Sequence, residues 1–256
     1  MPIIDRHLPG TPTWVDLMTK DLEKSRAFYG GLFGWEFSVG PAETGHYTMC
    51  TLKGQNVAGM GQLQEGAPFP PAWSLYFGVE SLEHTISKIT ARSGSILVPP
   101  LDVMNEGRMA VCADSTGAAF GLWQPRHHRG AALVEEPGSM TWHEVNTREA
   151  EKARDFYAMV FDLTPHQLEG MNYYTLSKGD KPCCGVMQMN DATPASVPPH
   201  WTNYFAVASA DLAVKKVRDL GGQVATGPFD TPYGRVSFVS DSAGVNFAIV
   251  QLPPQA

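Results

Sequence analysis

The stretch Thr13–Phe33 (TWVDLMTKDLEKSRAFYGGLF) recurs 128 residues later as Thr141–Phe161 (TWHEVNTREAEKARDFYAMVF). The two copies share Thr, Trp, Glu, Lys, Arg, Phe and Tyr in register. A repeat at fixed spacing indicates duplicated architecture more reliably than local propensities do. The chain is therefore predicted to consist of two related halves whose candidate site residues can be compared in pairs.

A second, weaker repeat lies inside each half. The aromatic segment 73–79 is followed by an amphipathic segment at 82–89, and 201–207 followed by 212–220 repeats this arrangement. Later in the halves, GRMAVCADSTGAAF (107–120) corresponds to GRVSFVSDSAGVNF (234–247). The sequence therefore divides into four modules, two in each half.

Each module shows the same order of local signals. A short strand with period-two alternation comes first, such as Thr13–Met18. Asp21, Ser81 and Ser209 stand where a helix N-cap belongs, and Glu149 takes that place in the third module. A helix and three short strands separated by Gly, Pro or Asp turns complete the unit. The predicted fold class is α+β, with four βαβββ modules.

The segment Pro125–Gly138 (PRHHRGAALVEEPG) breaks the repeat and is flanked by Pro and Gly. We therefore place the domain boundary there: residues 1–125 form a first domain, 126–138 a linker and 139–256 a second domain. The basic run Arg126–Arg129 inside this segment is interpreted as solvated linker. Short connections favour pairing of module one with two and of three with four.

Composition excludes several classes of function. The 256 residues carry a net charge of −7, which argues against binding to nucleic acids or anionic membranes. The four cysteines form neither a CxxC pair nor a secreted-type framework. No segment has the apolar length of a signal peptide or a membrane span. We expect a soluble cytoplasmic protein.

Sequence motifs for common cofactors and nucleophiles are also missing. No GxGxxG follows a strand, and neither a P-loop nor a GxSxG elbow occurs. We therefore predict no nucleotide cofactor and no Ser–His–Asp catalysis. The partner expected is a small-molecule ligand, bound by a monomer with internal pseudo-symmetry or by a homodimer.

The DLEKSRAFY segment with the following LFGW, together with the paired GR…DSxG segments, resembles the vicinal oxygen chelate superfamily. This superfamily includes glyoxalase I, extradiol dioxygenases and bleomycin-resistance proteins. The chain is most similar to tandem two-domain bacterial proteins labelled glyoxalase-like or, in polyketide pathways, hydroxylase-like. The resemblance covers Thr11 to Leu252. It implies that paired modules form two open, curved β-barrel domains with flanking helices, each around a cavity.

The resemblance also implies where a metal would bind. Metal-bearing members place ligands on the first strand of a module, seven residues before the residue that opens the helix, and on the last strand, four residues after a turn glycine. In this sequence those positions hold residues that ligate poorly or not at all: Trp14, Ser74, Gly121, Trp142, Thr202 and Ala248. Because a catalytic site needs about three protein ligands, we predict no metal and no other cofactor.

Two histidines could restore a metal site. His143 is adjacent to a ligand position, so on a regular strand it points to the opposite face from Trp142. A strand bulge would be needed to turn it inward. His200 has the correct parity but stands at the beginning of its strand.

The residues on the face of the lost ligands should line each cavity. The predicted ligand-binding residues are Trp14, Ser74, Tyr76 and Trp123 in the first half and Trp142, Thr202 and Tyr204 in the second. Such aromatic surfaces with few polar groups suit a planar organic ligand, although Trp and Tyr on strands are also common in cores. Tyr47 and Tyr174 occupy roughly equivalent strand positions; they could reach a cavity mouth, but the favoured interpretation is surface or core placement.

Asp16 and Glu144 place one carboxylate on each of these faces. A buried carboxylate costs free energy unless it is solvated or hydrogen-bonded. One interpretation is structural: the acid pairs with backbone amides or with Arg108 or Arg235. The other is catalytic: burial raises its pKa, and it acts as a general base.

Three functions follow from these observations. The first is a metal-independent protein of the bleomycin-resistance type that binds or sequesters a small planar aromatic molecule. The second is a metal-free tailoring enzyme, a lyase, isomerase or hydroxylase-like protein that uses Asp16 or Glu144 as general base. The third, a metal-dependent lyase or dioxygenase, is disfavoured by the missing ligands. A role as a scaffold without a ligand also remains open.

Overall fold

The structure, a computed structural model, describes residues 4–67 and 69–253, so the predicted domain ends at residues 1 and 256 lie outside it. The elements of the first half are β1 (Pro12–Thr19), α1 (Leu22–Phe33), β2 (Glu36–Val39), β3 (Thr48–Leu52), β4 (Gln55–Gln62), β5 (Ala72–Gly78), α2 (Leu82–Thr90), β6 (Ser95–Val103), β7 (Gly107–Ala113) and β8 (Ala119–Pro125). Those of the second half are β9 (Met140–Thr147), α3 (Ala150–Phe161), β10 (Thr164–Gln167), β11 (Tyr173–Lys178), β12 (Lys181–Gln188), β13 (His200–Ala206), α4 (Ala210–Asp219), β14 (Gln223–Thr231), β15 (Gly234–Ser240) and β16 (Asn246–Gln251). The predicted βαβββ order occurs in all four modules.

Helix starts follow the predicted caps. The side chains of Asp21, Ser81 and Ser209 each accept a hydrogen bond from a backbone amide in the first turn of the helix that follows. Glu149 stands at the N-cap of α3 but makes no such bond, and its carboxylate pairs with Lys152 instead. The cap at Glu149 is therefore limited to the effect of its charge on the helix dipole.

Each half contains one open sheet of eight strands. The strand order is β2-β3-β4-β1-β5-β8-β7-β6 in the first half and β10-β11-β12-β9-β13-β16-β15-β14 in the second. Two modules meet in the middle of each sheet, where β1 and β5, or β9 and β13, run antiparallel. The α+β prediction is confirmed, and so is the pairing of modules one with two and three with four.

Alternation along the central strands gives each sheet two distinct faces. We call the face that carries Trp73, Leu75 and Phe77 on β5 the helix face, because Trp73 donates a hydrogen bond to Tyr29 of α1 at 2.9 Å. The opposite face carries Ser74 and Tyr76, and we call it and its counterpart in the second half the site face. Period-two alternation thus separates core from candidate site.

The two halves share one core between their helix faces. Phe77 stacks on Phe161 with ring centroids 4.3 Å apart. On the other side of this core, Phe205 packs against Trp73 at 5.0 Å and against Phe33 at 5.2 Å. Because the large apolar residues of each half are buried by those of the other, the halves are expected to depend on each other for stability.

The chain between the sheets is held against the first half. Arg126, His127 and Arg129 are exposed, as predicted for a solvated segment, but His128 is half-buried. The amides of Ala131 and Ala132 donate to the carbonyls of Thr13 and Asn56 at 2.9 and 2.8 Å. Across residues 4–67 and 69–253, we find no helix with the length and apolarity that a membrane crossing requires.

Candidate functional site

The site face of the first half holds a hydrogen-bonded group of four side chains. The Trp14 indole donates to the Tyr47 hydroxyl at 3.0 Å. The hydroxyls of Tyr76 and Tyr47 lie 3.2 and 3.5 Å from Oδ2 of Asp16. We call these four residues the first cluster. Asp16 is 6% exposed, and within the described chain its Oδ1 atom has no hydrogen-bond partner.

The second half repeats this group with a longer acid. The Trp142 indole donates to the Tyr173 hydroxyl at 2.9 Å, and the Tyr204 hydroxyl donates to Oε1 of Glu144 at 3.2 Å. We call Trp142, Glu144, Tyr173 and Tyr204 the second cluster. Thr202, on the same face, accepts a bond from the side-chain amide of Asn146 at 3.2 Å. The residues predicted from strand parity therefore do lie together in each half.

Glycines provide the space for Tyr47 and Tyr173. Gly59 pairs with Asp16 across β4 and β1, and a Cβ at Gly59 would lie 1.9 Å from the Tyr47 hydroxyl. A Cβ at Gly185 would likewise lie 2.0 Å from the Tyr173 hydroxyl. The equivalence of Tyr47 with Tyr174 was wrong, because the chain before β3 is two residues longer than the chain before β11. Tyr174 lies instead beneath the guanidinium of Arg154 from α3.

Burial dominates the electrostatics of both acids. Desolvation raises the pKa of Asp16 to about 6, and the neighbouring hydroxyls of Tyr76, Ser74 and Tyr47 lower this pKa in part. Desolvation also raises the pKa of Glu144, and hydrogen bonds from Tyr173 and Tyr204 lower this pKa in part. The cluster tyrosines have pKa values raised by burial and by the neighbouring carboxylate. They are therefore neutral donors to the acids.

The expected arginine partners of the two acids were wrong. Arg108 pairs with Glu83 at 2.8 Å, and Arg235 pairs with Asp211 and Asp230 at 3.1 and 3.0 Å. Both arginines are thus engaged with carboxylates at the protein surface. Phenol hydroxyls, which carry no compensating charge, take their place beside Asp16 and Glu144.

The positions that would ligate a metal do not fit one. On the two site faces they hold two indoles, two aliphatic hydroxyls, a glycine and an alanine. Each face offers a single carboxylate, surrounded by tyrosines that hold their protons. Among residues 4–67 and 69–253, no group of three or more His, Cys, Asp or Glu is placed to hold an ion. A divalent cation needs about three good ligands at one point, and these side chains do not supply them.

The two histidines that could have rescued a metal site lie elsewhere. His143 is buried on the helix face, where its Nδ1 atom lies 2.7 Å from Oδ1 of Asn203, and burial lowers its pKa to about 4. His200, at the start of β13, has Nδ1 2.9 Å from the carbonyl oxygen of Pro198. No bulge turns His143 toward the second cluster.

A residue from outside the sheet lies against the first cluster. The His128 ring contacts Trp14 edge-to-face, with centroids 4.3 Å apart, and lies 5.5 Å from Trp123. The Trp123 indole donates to the His128 carbonyl at 2.8 Å. Burial lowers the pKa of His128 to about 4, so the ring is neutral at pH 7. Sequence reasoning missed this contact because no local pattern shows that the segment folds back onto the sheet.

The clusters define what the site faces can do chemically. Indole and phenol rings offer flat apolar contact, and each carboxylate accepts hydrogen bonds. The tyrosine hydroxyls donate to some of the lone pairs of each carboxylate, and other lone pairs can still accept a hydrogen bond. A planar molecule carrying a hydroxyl could therefore stack on the aromatic surface and donate to the acid.

Comparison with known proteins gives matches along the whole chain. Residues 128–249 match the family described as "Glyoxalase/Bleomycin resistance protein/Dioxygenase superfamily", and residues 11–51 match "Bleomycin resistance protein-like N-terminal". A Mycobacterium tuberculosis protein provisionally named glyoxylase CFP32 is 38% identical, covering 100% of both chains. The anthracycline biosynthesis protein DnrV of Streptomyces peucetius is 34% identical, covering 96% of this chain and 95% of its own.

Solved structures share the fold at low sequence identity. The Mn(II)-bound glyoxalase from Novosphingobium aromaticivorans superposes with a TM-score of 0.65 at 13% identity, covering 97% of this chain and 86% of that one. The 2,3-dioxygenase LapB from Pseudomonas sp. KL28 gives a TM-score of 0.67 at 12% identity, with coverage of 100% and 95%. At such identities the likeness concerns the fold.

Proposed function

Since the chain belongs to the glyoxalase/bleomycin resistance protein/dioxygenase superfamily, the vicinal oxygen chelate proteins, we propose that it is a metal-independent member that binds a planar hydroxylated aromatic molecule. The ligand stacks on the tryptophan and tyrosine rings of a site face. Its hydroxyl donates a hydrogen bond to the cluster carboxylate. The function is binding or sequestration of the resistance type.

The observation that carries the proposal is the tryptophan–tyrosine–carboxylate cluster, which occurs in both halves. In metal-bearing relatives, as the sequence resemblance implies, the same strand positions supply metal ligands. Here an indole takes the ligand position of β1 and of β9, and its N–H fixes a tyrosine beside the acid. Substitution of ligating groups by a flat apolar surface supports recognition of a ring rather than of a metal-chelating oxygen pair.

An unpaired carboxylate oxygen on a site face is evidence for a ligand that carries a hydroxyl group. Oδ1 of Asp16 is buried without a partner among the described residues, and such an atom costs free energy unless something donates to it. A phenolic or enolic hydroxyl is a donor of the kind that such a carboxylate accepts, and Glu144 is the equivalent carboxylate in the second half. The relative named for anthracycline biosynthesis supports the same class, because anthracyclines contain a planar hydroxylated anthraquinone.

We expect 2,6-dihydroxyanthraquinone to bind at least about tenfold more tightly than 2,6-dimethoxyanthraquinone. The two molecules share the ring system, but only the first can donate to the carboxylate, and hydrogen bonds to charged groups contribute about 1.5–3 kcal/mol. Quenching of tryptophan fluorescence at pH 7.5 measures both affinities. Equal affinities, or no binding of either compound, would refute the proposed function.

A second function is favoured by the raised pKa of Asp16, which at about 6 approaches the value of an effective general base at neutral pH. In this alternative, a cluster carboxylate removes a proton from a carbon atom next to a carbonyl group and returns it to the neighbouring carbon. No metal takes part, and a lyase or isomerase results.

The two functions are separated by an assay for turnover. The hemithioacetal of methylglyoxal and glutathione carries such a proton, and formation of the thioester is followed by its ultraviolet absorbance. The binding function predicts no turnover by protein freed of metal. Turnover that disappears in Asp16→Asn or in Glu144→Gln, with unchanged circular dichroism, would establish the enzyme instead.

A further inference from the structure

We infer that the ligand binds in the second half alone, against the second cluster, and that His128 and Trp123 keep the first half closed. This inference rests on the proposed function and adds which of the two site faces performs it. It follows from three differences between the halves, all on the site faces.

The first difference is the imidazole of His128. Its ring packs edge-to-face on Trp14 and also contacts Trp123, so it covers indole surface that a planar ligand would need. In the second half, Trp142 is half-buried. In the described part of the chain no counterpart of His128 packs on Trp142, which lies against the small buried cluster that contains Tyr204 and Val250. A larger fraction of the indole is therefore exposed at Trp142 than at Trp14.

The position of His128 is fixed by the backbone on both sides. The amides of Arg126 and His128 donate to the carbonyl of Glu106 at 2.9 and 3.1 Å, and Ala131 donates to Thr13 at 2.9 Å. These bonds tie the segment to the turn between β6 and β7 at one end and to β1 at the other. The imidazole thus belongs to the folded first half and is not a loose side chain at its edge.

The second difference is the size of the residue on the last strand. Trp123 on β8 corresponds to Val250 on β16. A Cβ at Gly107 would lie 2.5 Å from the Trp123 ring, so this indole spreads over the neighbouring strand. Valine reaches much less far. The second half therefore carries a smaller side chain at the position that Trp123 fills in the first half.

The third difference concerns the tyrosine beside each acid. A Cβ at Gly121 would lie 2.1 Å from the Tyr76 ring, so this ring lies across β8. The corresponding Ala248 has the methyl group that such a position excludes, so Tyr204 must be placed differently. Tyr204 makes an edge-to-face contact with Phe238 at 6.0 Å. Phe238 is half-buried.

Three half-buried apolar side chains border the second site face: Trp142, Phe238 and Leu252. Tyr204, Val236, Ala248 and Val250 form a small cluster separate from the shared core. Phe229, on the adjacent strand, is 37% exposed. In the first half, by contrast, Trp14, Tyr76 and Trp123 belong to the continuous main core. The contrast in burial lies at the indoles, since Trp14 is 4% exposed and Trp142 is half-buried.

Calorimetric titration with 2,6-dihydroxyanthraquinone tests the assignment. We expect one molecule per chain, and we expect Glu144→Gln to weaken binding at least tenfold because the acceptor charge is lost. Glu149→Gln, the same change at an exposed N-cap, should leave affinity within twofold. Tyr204→Phe removes one donor to Glu144 and keeps the ring. Its affinity gives a second test if Glu144→Gln fails to fold.

The outcomes distinguish this inference from the proposed function. Binding by the wild type that persists unchanged in both Glu144→Gln and Tyr204→Phe would overturn the assignment to the second half while leaving the function intact. Two molecules per wild-type chain would do the same. No binding by the wild type would contradict both the assignment to the second half and the proposed function. Equal affinity for the dihydroxy and dimethoxy compounds would contradict the proposed function.

A variant that opens the first half supplies the converse test. Trp123→Val with His128→Ala gives that half the smaller residue of the second and removes the imidazole. We expect the stoichiometry to rise from one to two, with the additional site lost again when Asp16→Asn is added. A stoichiometry that stays at one in a folded double variant would contradict the closing role of His128 and Trp123.

Discussion

Replacing Phe205 by alanine is expected to lower the free energy of unfolding by about 3–5 kcal/mol, the range for removing a buried phenylalanine ring. Phe205 is fully buried on β13, and its ring contacts Trp73, Phe33, Trp35 and Phe247. Three of these partners belong to the first half. The cavity would therefore open between the halves and weaken both.

The unfolding transition should remain single, because one core holds both sheets together. Guanidinium unfolding gives the free energy, and hydrogen exchange gives its distribution along the chain. Protection should fall in peptides from α1 as well as in those from β13. Phe69→Ala, at a ring that is 50% exposed, serves as the matched control and should cost less than about 1 kcal/mol. Two separate transitions, or a loss confined to the second half, would contradict the shared core.

Acidification should stabilise the wild type relative to Asp16→Asn by on the order of 3 kcal/mol. Burial raises the pKa of Asp16 to about 6 in the folded state from an ordinary value of 3.8. Between these values the folded protein binds more protons than the unfolded chain does. The stabilisation is therefore complete below about pH 4 and disappears as the pH rises through about 6.

Urea unfolding of both proteins between pH 4 and 7.5 measures this difference. Glu144, whose pKa is also raised by burial, is present in both proteins, so its contribution cancels. The packing cost of the asparagine is the same at every pH and cancels as well. A wild-type-minus-variant difference that does not change with pH would show that Asp16 is not a buried, desolvated acid.

The parts of the fold that depend on local pattern could be predicted from the sequence. The repeat gave four βαβββ modules, and period-two alternation placed Trp14 and Asp16 on one face with Tyr76. Alternation is a property of the strand itself, so it holds wherever the strand packs. Asp21 and Ser81 could be recognised as caps for the same reason.

The contacts made by distant segments could not be predicted in this way. Tyr47 reaches Asp16 because β1 and β4 run parallel and Gly59 leaves space beneath the ring. A two-residue difference in the preceding connection hid its equivalence to Tyr173. His128 packs on Trp14 because its segment crosses back over the first sheet. No alternation or cap signal carries that information.

The partners of the two buried acids could not be predicted from charge alone. The sequence pointed to a paired carboxylate, and a pairing with arginine was the natural expectation. Arg108 and Arg235 instead bind acids at the helix starts, Glu83 and Asp211. Asp16 is left with neutral donors, so no positive charge offsets the rise of its pKa on burial.

The central claim is that this chain binds a planar hydroxylated molecule without a metal. Its most direct test is titration of 2,6-dihydroxyanthraquinone into protein treated with a chelator and shown by elemental analysis to be free of transition metals. We predict that the affinity equals that of untreated protein and does not change when Mn²⁺ is added. Binding or turnover that appears only after the metal is restored, with about one ion per half, would contradict the claim.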